Sequence, residues 1–162
     1  MAKKATPGTP ATAILISLGV AFIPHPYDHA AGTASYGREA AEALGVDANR
    51  VFKTLLTDAD GMLVVAVVPV SGQLDLKALA AAVSAKRAGM AGAALAERRT
   101  GYVVGGISPI GQKTRLRTII DASAAAFPTV FVSGGRRGFD IELDPADLLA
   151  VTGGSLATIS RS

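Results

Sequence analysis

The chain has no cysteine and no tryptophan among its 162 residues. Without cysteine there is no disulfide, no thiolate metal site and no cysteine nucleophile, and cysteine usage does not decide the compartment. Aromatic residues are few, three Tyr and five Phe, while glycine occurs 18 times beside long alanine runs. Specificity is therefore expected from close backbone approach. Histidine occurs only at positions 25 and 29, and no Gly-x-Ser-x-Gly elbow accompanies it, which argues against an ordinary Ser-His-Asp hydrolase. No apolar run reaches the roughly 18 residues of a membrane span, so no membrane partner is expected. The lysines at the start and the apolar stretch 11–23 look like an export signal. Against this, Thr9-Pro10 starts a helix and Gly19 stops it, as in a short folded helix. A cytoplasmic protein is expected.

What is present fits one domain over 1–162, with 1–8 as a flexible polar lead, since 49% apolar residues suffice for a substantial core. Net charge is +3, unevenly spread. Residues 85–137 carry nine Lys or Arg against Glu97 and Asp121, a balance of +7 that leaves −4 elsewhere. That polarity suits an anionic partner, because cations that meet phosphates gain affinity through counterion release; a solvated face with no partner is the competing reading.

Helices are expected at 10–18, from Ser35 as N-cap to Gly45 as stop, at 75–83 capped by Asp75, at 93–99, and at 145–151 capped by Asp144. Residues 21–28, interrupted by Pro24 and Pro26, read as an edge strand. Residues 51–57 and 62–68 flank Asp58-Ala-Asp-Gly61 and read as a hairpin. Short β-rich runs follow at 102–104, 118–120, 129–132 and 139–143. The mixture predicts an α+β fold, a mixed β-sheet curled into a partial barrel and surrounded by helices.

Four stretches carry candidate chemistry. In Val51-Phe-Lys-Thr-Leu-Leu56 a lysine sits inside a core-like strand: either Lys53 snorkels to water from a half-exposed strand, or it is a cation held at a site. Gly106-Ile-Ser-Pro-Ile-Gly111-Gln-Lys113-Thr114 nearly spells a phosphate loop, but its spacing is wrong and Pro109 lacks the amide such a loop uses. What remains is a glycine-flanked loop at Gly105-Gly106, either a tight turn or a source of backbone N–H groups for an oxyanion. His25 and His29 could begin a metal site, but no third ligand is nearby in sequence, and no metal or cofactor is expected. Val132-Ser-Gly-Gly-Arg-Arg-Gly138 is either a hairpin turn with solubilising charges or a loop bracketing ribose or phosphate, with Ser133 as hydrogen-bond partner.

Together these stretches resemble one family, the YbaK/EbsC group of aminoacyl-tRNA deacylases, relatives of the editing domain of prolyl-tRNA synthetase. The resemblance rests on Thr9-Pro-Ala, His25-Pro-Tyr-Asp-His29, residues 51–56, Pro69-Val-Ser-Gly-Gln-Leu-Asp-Leu76, Thr100-Gly-Tyr-Val-Val-Gly-Gly-Ile-Ser-Pro-Ile-Gly-Gln-Lys113, and Val132-Ser-Gly-Gly-Arg-Arg-Gly-Phe-Asp-Ile-Glu-Leu143, in order across residues 9 to about 155. It implies a trans-editing enzyme that hydrolyses mischarged aminoacyl-tRNA, most like the Cys-tRNA(Pro) branch. The substrate would be the acceptor end of tRNA(Pro), with prolyl-tRNA synthetase as a possible docking partner. A deacylase for another small aminoacyl group such as Ala-tRNA(Pro), or a non-catalytic tRNA- or synthetase-binding module, are the alternatives. The resemblance further implies that Lys53 is catalytic and that Tyr27, Tyr36, Gly105, Gly106, Ser133 and Asp140 contact substrate. Tyr36 departs from the phenylalanine common in close relatives, and Asp28 stands where glutamate is frequent.

Overall fold

The computed structural model describes residues 8–28 and 36–162. In chain order its elements are helix α1 (Pro10–Leu18), strand β1 (Ile23–Pro26), α2 (Tyr36–Leu44), β2 (Phe52–Ala59), β3 (Met62–Pro69), β4 (Gln73–Leu74), α3 (Leu76–Ala82), β5 (Ala88–Met90), α4 (Ala93–Thr100), β6 (Arg117–Asp121), β7 (Val130–Arg136), β8 (Phe139–Leu143), α5 (Pro145–Thr152), β9 (Ser155–Ala157) and β10 (Ser160–Arg161). Short 3-10 turns lie at Ala48–Arg50 and Ala122–Ala126.

The helix starts follow the capping chemistry of the sequence. Thr9 accepts from the Thr12 amide and Thr12 reaches back to the Thr9 amide, a reciprocal pair closed by left-handed Gly19. Asp75 and Asp144 cap α3 and α5 through the amides of Ala78 and Ala146. Ser35, the cap expected for α2, lies outside the described residues, as do residues 1–7 of the expected lead and His29. The hairpin turns on Asp60 and Gly61, at φ of 52° and 88°. Two consecutive positive φ values make the tight turn whose twist matches flanking strands.

The described residues form three sheets: β5-β2-β3-β6-β9, β1-β8-β7, and the short pair β10-β4. The α+β class holds. The pairings among the described residues form no closed ring, and one parallel bridge, Val51 to Phe131, joins the two larger sheets. Strand β3 is central and its side chains alternate between two cores. Val65 and Val67 pack with Leu15, Phe139 and Leu148 on one face, while Val64, Ala66 and Val68 pack with Leu79 and Ile119 on the other. Covering both faces explains the unbroken apolar run from Met62 to Val68.

Residues 102–104, read from sequence as a strand, are not one. Gly101 ends α4 at φ 81°, Thr100 Oγ1 accepts from the Tyr102 amide, and the Gly106 amide turns back to the Val103 carbonyl. Tyr102 is buried, and its hydroxyl donates to the Ile110 carbonyl at 2.7 Å. Tyr102 thus holds a loop to the core rather than extending a sheet, and Val103 is exposed.

Candidate active site

Strand β2 loses a partner on one flank halfway along its length. Strand β5 pairs with Thr57, Asp58 and Ala59 only, so among the described residues the first half of β2 has β3 on one side and no strand on the other. A cavity of about 420 Å³ borders residues 51–56. Helix α2 contributes Tyr36, Gly37 and Ala40; the segment entering α4 contributes Ala91, Ala93 and Ala96; the loop beyond α4 contributes Val104, Gly105 and Ile107; and Tyr27, Ser133 and Asp140 complete the wall. The lining is mostly small and apolar.

Glycine brings these parts together where any side chain would collide. A Cβ on Gly37 would sit 2.3 Å from Val70 Cγ1, so α2 lies directly on the end of β3. Gly105 has φ +91°, and a Cβ there would meet Arg137 Nε and Tyr36 Cζ at 2.9 Å. Gly106 is buried and a Cβ would come within 2.7 Å of the Arg136 backbone. The adjacent glycines thus let the 103–107 loop lie against the β7–β8 turn.

Lys53 borders the cavity half-buried, and among the described residues its ammonium has neither an ion pair nor a hydrogen bond. Desolvation lowers its pKa, and the charge of Arg38 on α2 lowers it further. The sequence readings of this lysine were a half-exposed strand or a cation held at a site; the strand is interior by sheet order yet, among the described residues, unflanked beside Lys53, which is how a charge fits there. Asp140 is 4% exposed, and its carboxyl, pushed up to about 7 by burial, has no hydrogen bond among the described residues. Tyr27 stands close enough that the Asp140 charge, after burial, raises its phenol pKa, with Glu39 adding to the effect. Ser133 pairs in register with Asp140 across β7 and β8, and its Oγ accepts from the Gly135 amide at 3.2 Å.

Six of the seven residues singled out from sequence, Lys53, Tyr27, Tyr36, Gly105, Ser133 and Asp140, therefore line one cavity. Gly106 does not; it serves the packing beneath. The Val132–Gly138 stretch is a bulged hairpin, and its Ser133 lines the cavity. Its Gly134 and Gly135 make room for the Phe139 ring and for Tyr102 and Thr9. The near phosphate loop is structural: Gly111 lies on the backbone of Pro10 and Ala11, and Gln112 and Lys113 bond to the Ser108 and Thr100 carbonyls. His25 Nε2 donates to Glu142 Oε1 at 2.8 Å, and among the described residues no three His, Cys, Asp or Glu are grouped as metal ligands.

Sequence reading missed two neighbours. Thr54 lines the cavity with a buried hydroxyl that has no partner among the described residues; lying next to Lys53 was its only signal. Arg38 had none, because its effect depends on how α2 is docked.

Residues 31–151 match the family described as the aminoacyl-tRNA editing domain. The chain is 42% identical over 121 residues, 74% of each chain, to a protein of Enterococcus faecalis named as a Cys-tRNA(Pro)/Cys-tRNA(Cys) deacylase, EbsC. It is 31% identical over 111 residues to the uncharacterized protein YwhH of Bacillus subtilis, covering 68% of this chain and 70% of that one. In fold it is similar to a structure described as a trans-editing enzyme for prolyl-tRNA synthetase, with TM-score 0.80, 24% identity, and 94% of this chain and 96% of that chain covered. A hypothetical protein matches at TM-score 0.84 and 23% identity, over 94% of this chain and 100% of that one.

Proposed function

This chain belongs to the aminoacyl-tRNA editing domain family and is an aminoacyl-tRNA deacylase, and from that premise we propose that it clears mischarged tRNA in trans, with Cys-tRNA(Pro) as its substrate. The observation that carries this reading is Lys53, a half-buried ammonium bordering a small cavity with nothing among the described residues to satisfy it. A fixed cation there positions the ester and stabilises charge that develops on its carbonyl. Asp140 receives the substrate's α-ammonium, the Ser133 hydroxyl and Gly105 amide supply hydrogen bonds, and Tyr27 and Tyr36 flank the aminoacyl-adenosine. Gly106 contributes by holding the loop in place. The same reading takes the two larger sheets, linked at Val51 and Phe131, as a partial barrel with the cavity at its seam.

With a cysteinyl ester the substrate's own sulfur attacks its carbonyl carbon. The C–S bond forms as the C–O bond to the ribose breaks, the thiol proton ends on the departing ribose oxygen, and tRNA leaves beside a cyclic thiolactone. The chain has no cysteine and needs none for this route; its part is orientation and charge stabilisation. For an alanyl ester, which the alanine-lined cavity also suits, water takes the place of the sulfur. Product analysis of Cys-tRNA(Pro) turnover tests the route: a trapped thiolactone supports it, and free cysteine as first product refutes it. Docking to prolyl-tRNA synthetase belongs to the same reading, and the absence of any complex between the purified proteins at micromolar concentration would remove it.

A further inference from the structure

The cavity deals with the end of a nucleic acid, yet its wall is unsuited to the phosphates that come with one. Its lining is mostly apolar, and it contains Asp140, a carboxyl that repels phosphate whenever it is ionised. Lys53, given to the ester, is the cation in its lining among the described residues, and two arginines stand outside that lining. Arg38 lies near enough to Lys53 for its charge to be felt there, and Arg137 is exposed on the β7–β8 turn.

Arg137 is held unusually firmly for an exposed side chain. Its Nε donates to the Val104 carbonyl at 2.8 Å, and its guanidinium carbon sits 5.0 Å from the centre of the Tyr36 ring. Gly105 makes this arrangement possible, since a Cβ would strike both the guanidinium and the ring. The contact ties the β7–β8 turn, the 103–107 loop and α2 together across the cavity mouth. The terminal guanidinium nitrogens have no partner among the described residues. A planar fork already fixed in orientation, with its outer N–H groups open, is matched to two oxygens of one phosphate.

We propose that Arg137, braced on Tyr36 and Val104, binds an internucleotide phosphate of the tRNA acceptor strand, with Arg38 contributing charge from α2. This subsite makes Arg137 a positioning residue: it sets how far the strand enters and so where the ester lies relative to Lys53. The proposal rests on the deacylase reading above.

The test compares one aminoacyl group carried on full-length tRNA and on adenosine alone, which has no internucleotide phosphate. Wild type, Arg137→Ala and Arg137→Lys are assayed for kcat and KM on both across a salt series. Removing one charged hydrogen-bonding group lowers the preference for tRNA over adenosine about tenfold in Arg137→Ala, through KM. The salt dependence of kcat/KM on tRNA becomes shallower by about 0.7 in logarithmic slope, the change expected when one single-strand phosphate is no longer neutralised. Arg137→Lys, which keeps the charge and gives up the brace, restores the slope and part of the preference. If Arg137→Ala leaves the preference and the slope unchanged, or slows both substrates equally, the residue only supports the loop and the proposal fails while the deacylase reading stands. A wild-type protein that cleaves neither substrate overturns that reading, and the proposal falls with it.

Discussion

Asp140 gives the fold a specific pH signature. Its carboxyl is buried and has no hydrogen-bond partner among the described residues, with its pKa raised by burial from 3.8 to about 7. Between those values the unfolded chain has released the proton that the folded chain still holds, so stability falls as pH rises. Well inside the window each pH unit costs about 1.4 kcal/mol, and between about pH 5 and pH 8 this one group removes roughly 2.5 kcal/mol. Asn is nearly the same shape and does not titrate. The fixed cost of burying its amide is the same at every pH and drops out of the comparison. Urea unfolding of wild type and Asp140→Asn across this range should therefore show the variant gaining on wild type by roughly 2.5 kcal/mol as pH rises. Parallel stability curves would refute the reasoning, and would mean that the carboxyl is ionised and solvated in the folded protein.

Other perturbations follow from the same geometry. Gly106→Ala forces a Cβ to within 2.7 Å of the Arg136 backbone and should cost about 1–3 kcal/mol; an unchanged Tm by calorimetry would show that the loops do not pack as described. Glu142 has its pKa lowered chiefly by the hydrogen bond from Thr129, against some desolvation, with His25 and Arg50 helping. A depressed carboxylate stabilises the fold above its unfolded pKa and loses that contribution as pH falls through the folded one. Glu142→Gln should accordingly flatten the acid limb of the stability profile, and an acid limb as steep as wild type would count against the network. Asp121 accepts from Ser123 Oγ and from the amides of Ile159 and Ser160. Asp121→Ala should cost about 2 kcal/mol or more and speed hydrogen exchange at residues 159–160; unaltered exchange there would mean that the C-terminal segment is held by other contacts.

Local chemistry was legible in the sequence, and long-range contact was not. Thr9, Asp75 and Asp144 announced helix starts, and Asp60-Gly61 announced the hairpin, because caps and tight turns are decided within a few residues. Strands β4, β5, β9 and β10 are two or three residues long. They exist only through distant partners, Gly89 opposite Asp58 or Ser160 opposite Leu74, and carry no pattern of their own. Residues 102–104 had strand-forming composition, but Tyr102 is spent on the Ile110 carbonyl. At the site, Lys53 stood out because a charge in an apolar run is anomalous on its face. Thr54 and Arg38 did not, since a threonine in a strand and an arginine on a helix are ordinary until the fold sets one in the cavity wall and the other near Lys53.

The central claim is that the Lys53 ammonium acts on the ester. Single-turnover release of tRNA from Cys-tRNA(Pro) by wild type and Lys53→Ala, with circular dichroism to establish that both are folded, tests it most directly. A folded variant slower by about 100-fold or more is the expected result, in line with removal of a charge-stabilising donor. A folded variant that releases tRNA at the wild-type rate would contradict the account.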